Sequence, residues 1–551
     1  MSMIFLDDVS LPGHGKISSA CWSQDRRILA VTSTFRLLTE PPARAAYGGQ
    51  KLRYRLALYR PPSRRPIAVF DHAILPINDV AFHPTKTVVA VGGGSYDGGY
   101  MFQGQISLWD WTLSWSKSFR PIPEVTGLRF SQGGNEIEAI VRPWDDGAGE
   151  TQLDDPTDAF YRVTLDQVFT RAWDRLTENV VNDQMVNQPP LTSRKVATMA
   201  NFGRPKADPV AVIEDAFGLD RLRWRSPIWD TALIGSDAIG IVHDDCQLEM
   251  FGRDGEQHRS FKGRGHGAQI FRSPEPLIHS VHLDQSENWW TAHGATLLRL
   301  HDGQLNEVVS LPGRYSFSMA QNGSLLGRRD RSYQKERGSE AADVIVSADL
   351  RKVTHYDFGH YDVFNHYIRV DGAPEFFVVQ GTPPGSHKDK YLCRATTEGR
   401  VERLWPLWNN VGDRAGHVME CCFCYIRDQH GPGMIVAGRH HNPMPSAPYT
   451  GFIYRKTLDG RELWRHSTSA SATSIKLVPN SDLLVVAFLD GNLALLHSPS
   501  GAIARWQPFT LDDHPGLIVS LDIDITHISF GSIDGRCAVM PLPTFLKNQV
   551  G

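Results

Sequence analysis

The sequence predicts an all-β chain made of a repeated antiparallel meander, and three observations carry that expectation. Short apolar runs, some alternating and some continuous, recur along most of the chain between turn formers. The runs come in sets: a strand, a polar turn, a more apolar strand, a connection and a further strand. Aromatic and turn-forming residues are plentiful, with 14 Trp, 25 Phe, 15 Tyr, 48 Gly and 34 Pro in 551 residues. That mixture favours short strands over long helices.

The stretch from Asn78 to Trp111 is the clearest template. Val80-Ala81-Phe82 begins a strand, His83-Pro84-Thr85-Lys86 is a turn, and Thr87 to Val91 is an almost wholly apolar strand. Gln105 to Trp109 makes a third strand, and Ser114 to Phe119 supplies a fourth. The same order returns at 19–62, 127–166, 231–261, 279–311, 316–358, 375–405, 433–467, 474–506 and 520–542, about ten units in all. Asp-Gly, Asn and Pro mark the turns, as hairpin geometry demands. One such sheet is too small to bury both faces, whereas sheets stacked side by side around an axis cover one another. The expected fold is therefore a β-propeller of four-stranded blades, either one ring of seven or eight with additions or two abutting rings.

Blades are expected over 1–169 and 225–546, with an irregular insertion or distorted blade over 170–224 and a short tail at 547–551. The last unit shows three strands, and the run at 3–11 is a strand without a unit. Open sheet edges invite aggregation, so the N-terminal strand is expected to complete the final blade. Trp109-Asp110 closes a third strand, where proteins of the WD-repeat propeller family carry their signature dipeptide. The chain resembles a divergent member of that family. Most units lack Trp-Asp, and no regular Gly-His precedes the first strand. The resemblance implies a docking subunit, in bacteria one within a conflict or ATPase-linked assembly.

Six hairpins are long, at 34–51, 93–104, 143–158, 328–342, 381–390 and 438–450. Others are tight, such as His243-Asp244-Asp245-Cys246. In a four-stranded blade the hairpin between the second and third strands always leaves on the same side. Long hairpins there predict a recognition face, since loops lengthen at little entropic cost and display binding residues on a rigid scaffold. The anchors expected are Tyr96, Tyr100, Met101, Phe102, Arg328, Arg329, Arg331, Arg439, Met444 and Tyr449, residue types that dominate protein interfaces.

Chemistry was sought and not found in the pattern. Cys421, Cys422 and Cys424 lack the second knuckle that a structural zinc site needs and read as core thiols. His440 and His441 are adjacent in an extended chain and point apart. The acidic loop 145–158 lacks calcium-loop spacing. In 328–340, five cations against three anions leave a net charge of +2, too little for a nucleic-acid surface. Phosphate loops, nucleophile elbows and dinucleotide glycine fingerprints are missing. No metal, cofactor or catalytic residue is expected. A net charge of −4 gives no pull toward nucleic acid or anionic membranes. Seven irregularly spaced cysteines read as reduced thiols of a cytoplasmic protein. The function expected is a non-catalytic scaffold for other proteins. The alternatives are a propeller hydrolase or lyase at a central channel, or a nucleic-acid-binding module.

Overall fold

The computed structural model describes the chain except residues 1–2, 7–8, 39–49, 74, 97–101, 114, 143–159, 167–182, 186, 188, 190, 192–207, 264, 266, 274–275, 284–291, 314, 330–340, 360–367, 383–385, 408–417, 441–450, 512–513 and 551. It is an all-β fold of propeller-like type. Ten antiparallel sheets of three or four strands are found among the described residues, eight of them four-stranded. None of the described helices is long and apolar enough to cross a membrane.

The chain divides into two units. The smaller comprises Val9–Phe35 and Leu52–Trp224, the larger Met1–Asp8, Arg36–Lys51 and Arg225–Gly551. Numbering sheets along the chain, the smaller unit holds three. Sheet 1 is Lys16–Trp22, Leu29–Leu38, Gln50–Tyr59 and Pro66–Ala73. Sheet 2 is Ile77–Phe82, Val88–Tyr96, Phe102–Asp110 and Trp115–Ile122. Sheet 3 is Glu124–Phe130, Ile137–Arg142 and Tyr161–Leu165. Leu56, Phe70, Val80 and Trp109 fuse sheets 1 and 2, and Leu108, Val125 and Val163 fuse sheets 2 and 3. Helix α1, Pro209–Phe217, covers sheet 1 by setting Ile213 and Phe217 against Leu29, Val31 and Tyr59. Asp208 caps it by accepting the Val210 N–H, and Pro209 opens it at a position where its missing donor does no harm.

The larger unit holds seven sheets. Sheet 4 is Asp230–Ile234, Ala238–His243, Cys246–Gly252 and Gln257–Lys262. Sheets 5 to 9 begin at Gln269, Tyr315, Phe376, Val418 and Ala472. Sheet 10 is Ile518–Ile523, His527–Ser532 and Cys537–Pro541. Its fourth strand is Ile4–Leu6, with Ile4 opposite Val539 and Leu6 opposite Cys537. The N-terminal strand thus completes the last sheet, as the missing strand in the sequence predicted. Helix α2, Leu542–Val550, follows and packs Phe545 beside Phe530.

Neighbouring sheets share apolar clusters from sheet 4 through sheet 8, and sheets 9 and 10 share another. Sheets 8 and 9 also share polar contacts. The fully buried Arg455 pairs with Asp428 at 2.6 Å and donates to the Ser498 carbonyl at 2.9 Å. Sheet 10 also packs on sheet 4, through Leu6, Ile228, Ile241, Phe251 and Val539. Burying a side chain of this size is worth about 1.5–3 kcal/mol, so packing against a neighbouring sheet supplies what one sheet lacks alone.

First strands of adjacent sheets lie side by side without a continuous ladder, which leaves backbone groups that need other partners. Short polar side chains serve them. Asp79 accepts the Leu128 N–H at 2.7 Å, Asp230 that of Ile270 at 2.9 Å, and Asp522 that of Leu233 at 2.8 Å. Thr473 donates to the Ile518 carbonyl at 2.6 Å, and Ser520 to that of Ile228 at 2.9 Å. Asp110, of the Trp-Asp pair, accepts the Thr112 and Leu113 N–H groups and fastens the turn after its strand.

Candidate functional site

The anchors expected from the sequence meet different fates. Tyr100, Met101, Arg331, Met444 and Tyr449 lie outside the described residues, as do 39–49, 143–159 and 441–450 of the long hairpins. Tyr96 and Phe102 end the second and third strands of sheet 2 and stand directly opposite each other. Arg439 lies in the strand Gly431–His440, opposite Met419 and Gly451. Arg328 requires correction. It sits in the strand Leu325–Arg329 and is only 2% exposed. Its Nε meets Asp343 at 3.2 Å and its Nη2 donates to the Gly359 carbonyl at 3.0 Å. Such an arginine holds sheet 6 together and displays nothing. Arg329, its half-buried neighbour, gives its backbone N–H to the same Asp343.

The central hairpins of sheets 1 and 2 extend past their outer strands. In sheet 2 the first strand stops pairing at Ile77 with Gly93, and the fourth at Ile122 with Gly104. The second and third strands continue through Gly94, Ser95 and Tyr96 to Phe102. Past Gly94 and Gly104 two residue pairs remain, Ser95 with Gln103 and Tyr96 with Phe102, and at about 3.3 Å per residue they project as a two-stranded ribbon of roughly 7 Å. Tight hairpins do nothing of the kind: in sheet 9 the corresponding strands are 6 residues each.

Two of the charged clusters among the described residues of the larger unit bear on function. The first joins the first strands. Arg369 pairs with Asp230 at 2.9 Å and Asp371 at 2.6 Å, and lies over the Phe271 ring. Asp371 also accepts the Met319 N–H. Arg272 pairs with Asp522 at 2.9 Å while its own side chain is 44% exposed. Burial pushes the Asp522 carboxyl above its ordinary range, against the pull of Arg272.

The second cluster is His243, Cys246, Glu249 and Arg225, which the sequence reading passed over. Strand alternation puts residues three apart on opposite faces, so Cys246 and Glu249 do not look like neighbours. The register shows why they are. His243 pairs with Cys246 across the Asp244-Asp245 turn, Ile241 pairs with Glu249, and a bulge lies between. The extra residue on one strand brings Cys246 and Glu249 onto the face of His243. The two-residue turn was the legible signal, since it sets its flanking residues opposite each other. His243 is 6% and Cys246 3% exposed. His243 Nε2 stands 3.5 Å from Glu249 Oε1, and Arg225 Nε 3.2 Å from Glu249 Oε2. Arg225 is held in turn by the Leu6 and Gly535 carbonyls. The donor atoms of His243, Cys246 and Glu249 all lie within 4.8 Å of one another, and this is the one such group among the described residues. Burial alone pushes the His243 imidazole down, but Cys246 and Glu249 outweigh it and raise the group to about 9. Nε2 faces Glu249 Oε1 at an ion-pair distance, and neither ring nitrogen makes a hydrogen bond of good geometry.

No protein-family model and no curated protein matches the sequence. WD-repeat membership is therefore not shown, and the propeller-like fold is what stands. Among solved structures, the selenomethionine-substituted virginiamycin B lyase from Staphylococcus aureus is similar at 11% identity and a TM-score of 0.41, over 58% of this chain and 95% of that one. A catalytically inactive variant of that lyase, solved with quinupristin, is similar at 12% identity and a TM-score of 0.38, over 58% and 96%. This finding corrects the expectation that the chain is not an enzyme, because an enzyme stands among the folds it resembles. Likeness at this level transfers neither substrate nor residues.

Proposed function

We propose that the protein is an interaction protein in which the seven sheets of the larger unit close into one ring and elongated hairpins take up partner proteins. The ribbon that carries Tyr96 and Phe102 beyond sheet 2 supports this reading most directly. Past Gly94, whose N–H is taken by the Pro76 carbonyl, and Gly104 its two strands have no further strand beside them among the described residues. Unpaired strand edges bind extended segments of another chain, with main-chain hydrogen bonds giving affinity and alternate side chains giving specificity. A preformed ribbon loses little entropy on binding. Ring closure is supported by the packing of sheet 10 on sheet 4. The free thiols of the described cysteines support a reducing, cytoplasmic setting.

The test replaces 94–103 by a two-residue Asn-Gly turn, with the wild-type melting curve as the folding control. Partner capture is then compared quantitatively. Loss of partners by tenfold or more is expected; an unchanged partner set would sink the reading.

A second reading, hydrolysis or lyase chemistry at the first strands, is favoured by Asp522. A buried carboxyl raised above its usual range beside a half-exposed arginine suits an acid or base. Any turnover found with a panel of esters and lactones should fall at least a hundredfold in Asp522→Asn, as removal of a general acid or base does. Turnover indifferent to that change would remove Asp522 from the chemistry.

A further inference from the structure

We propose that His243, Cys246 and Glu249 bind one divalent transition metal ion of borderline softness, with zinc the best fit. The donor set is one imidazole nitrogen, one sulfur and one carboxylate oxygen, a mixture that suits zinc and excludes calcium and magnesium, which take oxygen ligands. At zinc bond lengths, tetrahedral ligands stand about 3.4–3.7 Å apart. The three donor atoms already lie within 4.8 Å of one another, so side-chain rotation closes the site without backbone movement. The independent observation is His243. It is more than nine-tenths buried, its Nε2 meets Glu249 Oε1 only at 3.5 Å, and neither nitrogen makes a hydrogen bond of good geometry. Buried polar groups are ordinarily satisfied, and a metal bond through one nitrogen satisfies this one.

The surroundings are arranged to suit an ion. Arg225 holds Glu249 Oε2 and leaves Oε1 turned toward His243, as outer partners orient metal ligands elsewhere. The Cys246 thiol donates to the Phe261 carbonyl at 3.1 Å. On metal binding the Cys246 thiol and the His243 imidazolium each give a proton to solvent, so that thiolate and neutral imidazole coordinate. Two anionic ligands, a dication and the Arg225 guanidinium sum to a single positive charge. The cluster is closed over, so the ion enters as the sheet forms.

The test refolds the full chain with cobalt(II) and, separately, with zinc. One equivalent of either metal is expected per chain. The cobalt protein should show the near-ultraviolet charge-transfer band of a thiolate ligand. Cys246→Ser should abolish the band and weaken binding at least tenfold, whereas Cys537→Ser, at the other buried thiol of this region, should keep it. Wild-type protein with less than a tenth of an equivalent, or a band that survives Cys246→Ser, overturns the proposal. Should Cys246→Ser fail to fold, X-ray absorption of the wild-type zinc protein decides. A sulfur neighbour at about 2.3 Å supports the site, and its absence overturns it.

Discussion

The two charged clusters of the larger unit use similar residues to opposite ends. In the first, Asp230, Asp371 and Asp522 each meet both a backbone N–H of a neighbouring segment and a guanidinium. Those carboxylates replace the ladder that adjacent first strands cannot form, and Arg369 alone ties Asp230, Asp371 and the Ile270 carbonyl together. In the second, Arg225 and the His243 imidazole both face Glu249, at 3.2 and 3.5 Å, and the donor atoms of His243, Cys246 and Glu249 converge within 4.8 Å. Carboxylates each matched to an N–H and a guanidinium hold a fold; an imidazole, a thiol and a carboxylate converging on one buried spot have room for a metal ion. The comparison therefore separates glue from site by the kinds of donor each cluster gathers.

Mutations sharpen the contrast. Asp230→Ala removes the acceptor of the Ile270 N–H and strands Arg369, and breaking a buried pair of this kind costs about 3–5 kcal/mol. Cys246→Ala in metal-free protein removes a small buried group and two weak sulfur hydrogen bonds, to Ser260 and the Phe261 carbonyl, for about 1 kcal/mol. Urea unfolding of both variants at neutral pH measures the two. The distinction collapses if Cys246→Ala proves as damaging as Asp230→Ala, because the second cluster would then be a structural network as well.

Much of this fold was legible in the chain. Alternation and turn chemistry marked about ten meanders, because a half-buried strand must alternate and a hairpin must turn. The run containing Ile4 to Leu6 was recognisable as a closing strand by subtraction, since the last unit was one strand short. Trp109-Asp110 was correctly read as the end of a third strand. How the sheets group into three and seven was not readable, since every meander repeats the same grammar whichever neighbour it packs on. Arg328 misled because it ends a strand: a hairpin boundary misplaced by two residues turns a buried ion-pair partner into an apparent loop anchor. The His243 cluster was hidden by a single bulge. Period-two reasoning carries a one-residue insertion as an error that inverts every later face, and no residue type in Cys246-Gln247-Leu248-Glu249 advertises the slip.

The smallest effect expected within the first cluster runs against the usual sign for a buried carboxylate. Asp522 has a folded-state affinity for protons above its ordinary value of 3.8, chiefly because burial disfavours its charge. A carboxyl raised in this way destabilises the fold wherever it is ionised. The penalty is full above the folded pKa, shrinks as pH falls toward the unfolded value, and vanishes below it. Asp522→Asn keeps an acceptor for the Leu233 N–H and removes the buried charge, at the expense of a pair with an arginine that is 44% exposed. The variant should therefore be as stable as wild type or more so at pH 7. Its advantage should shrink as pH falls from neutral toward the ordinary value of 3.8 and vanish below it, as the wild-type carboxyl takes up its proton. Stability measured by denaturant across that range checks the sign. A variant less stable than wild type at pH 7 would show that the Arg272 pair outweighs the burial of the carboxylate, and Asp522 would then belong with Asp230 as glue.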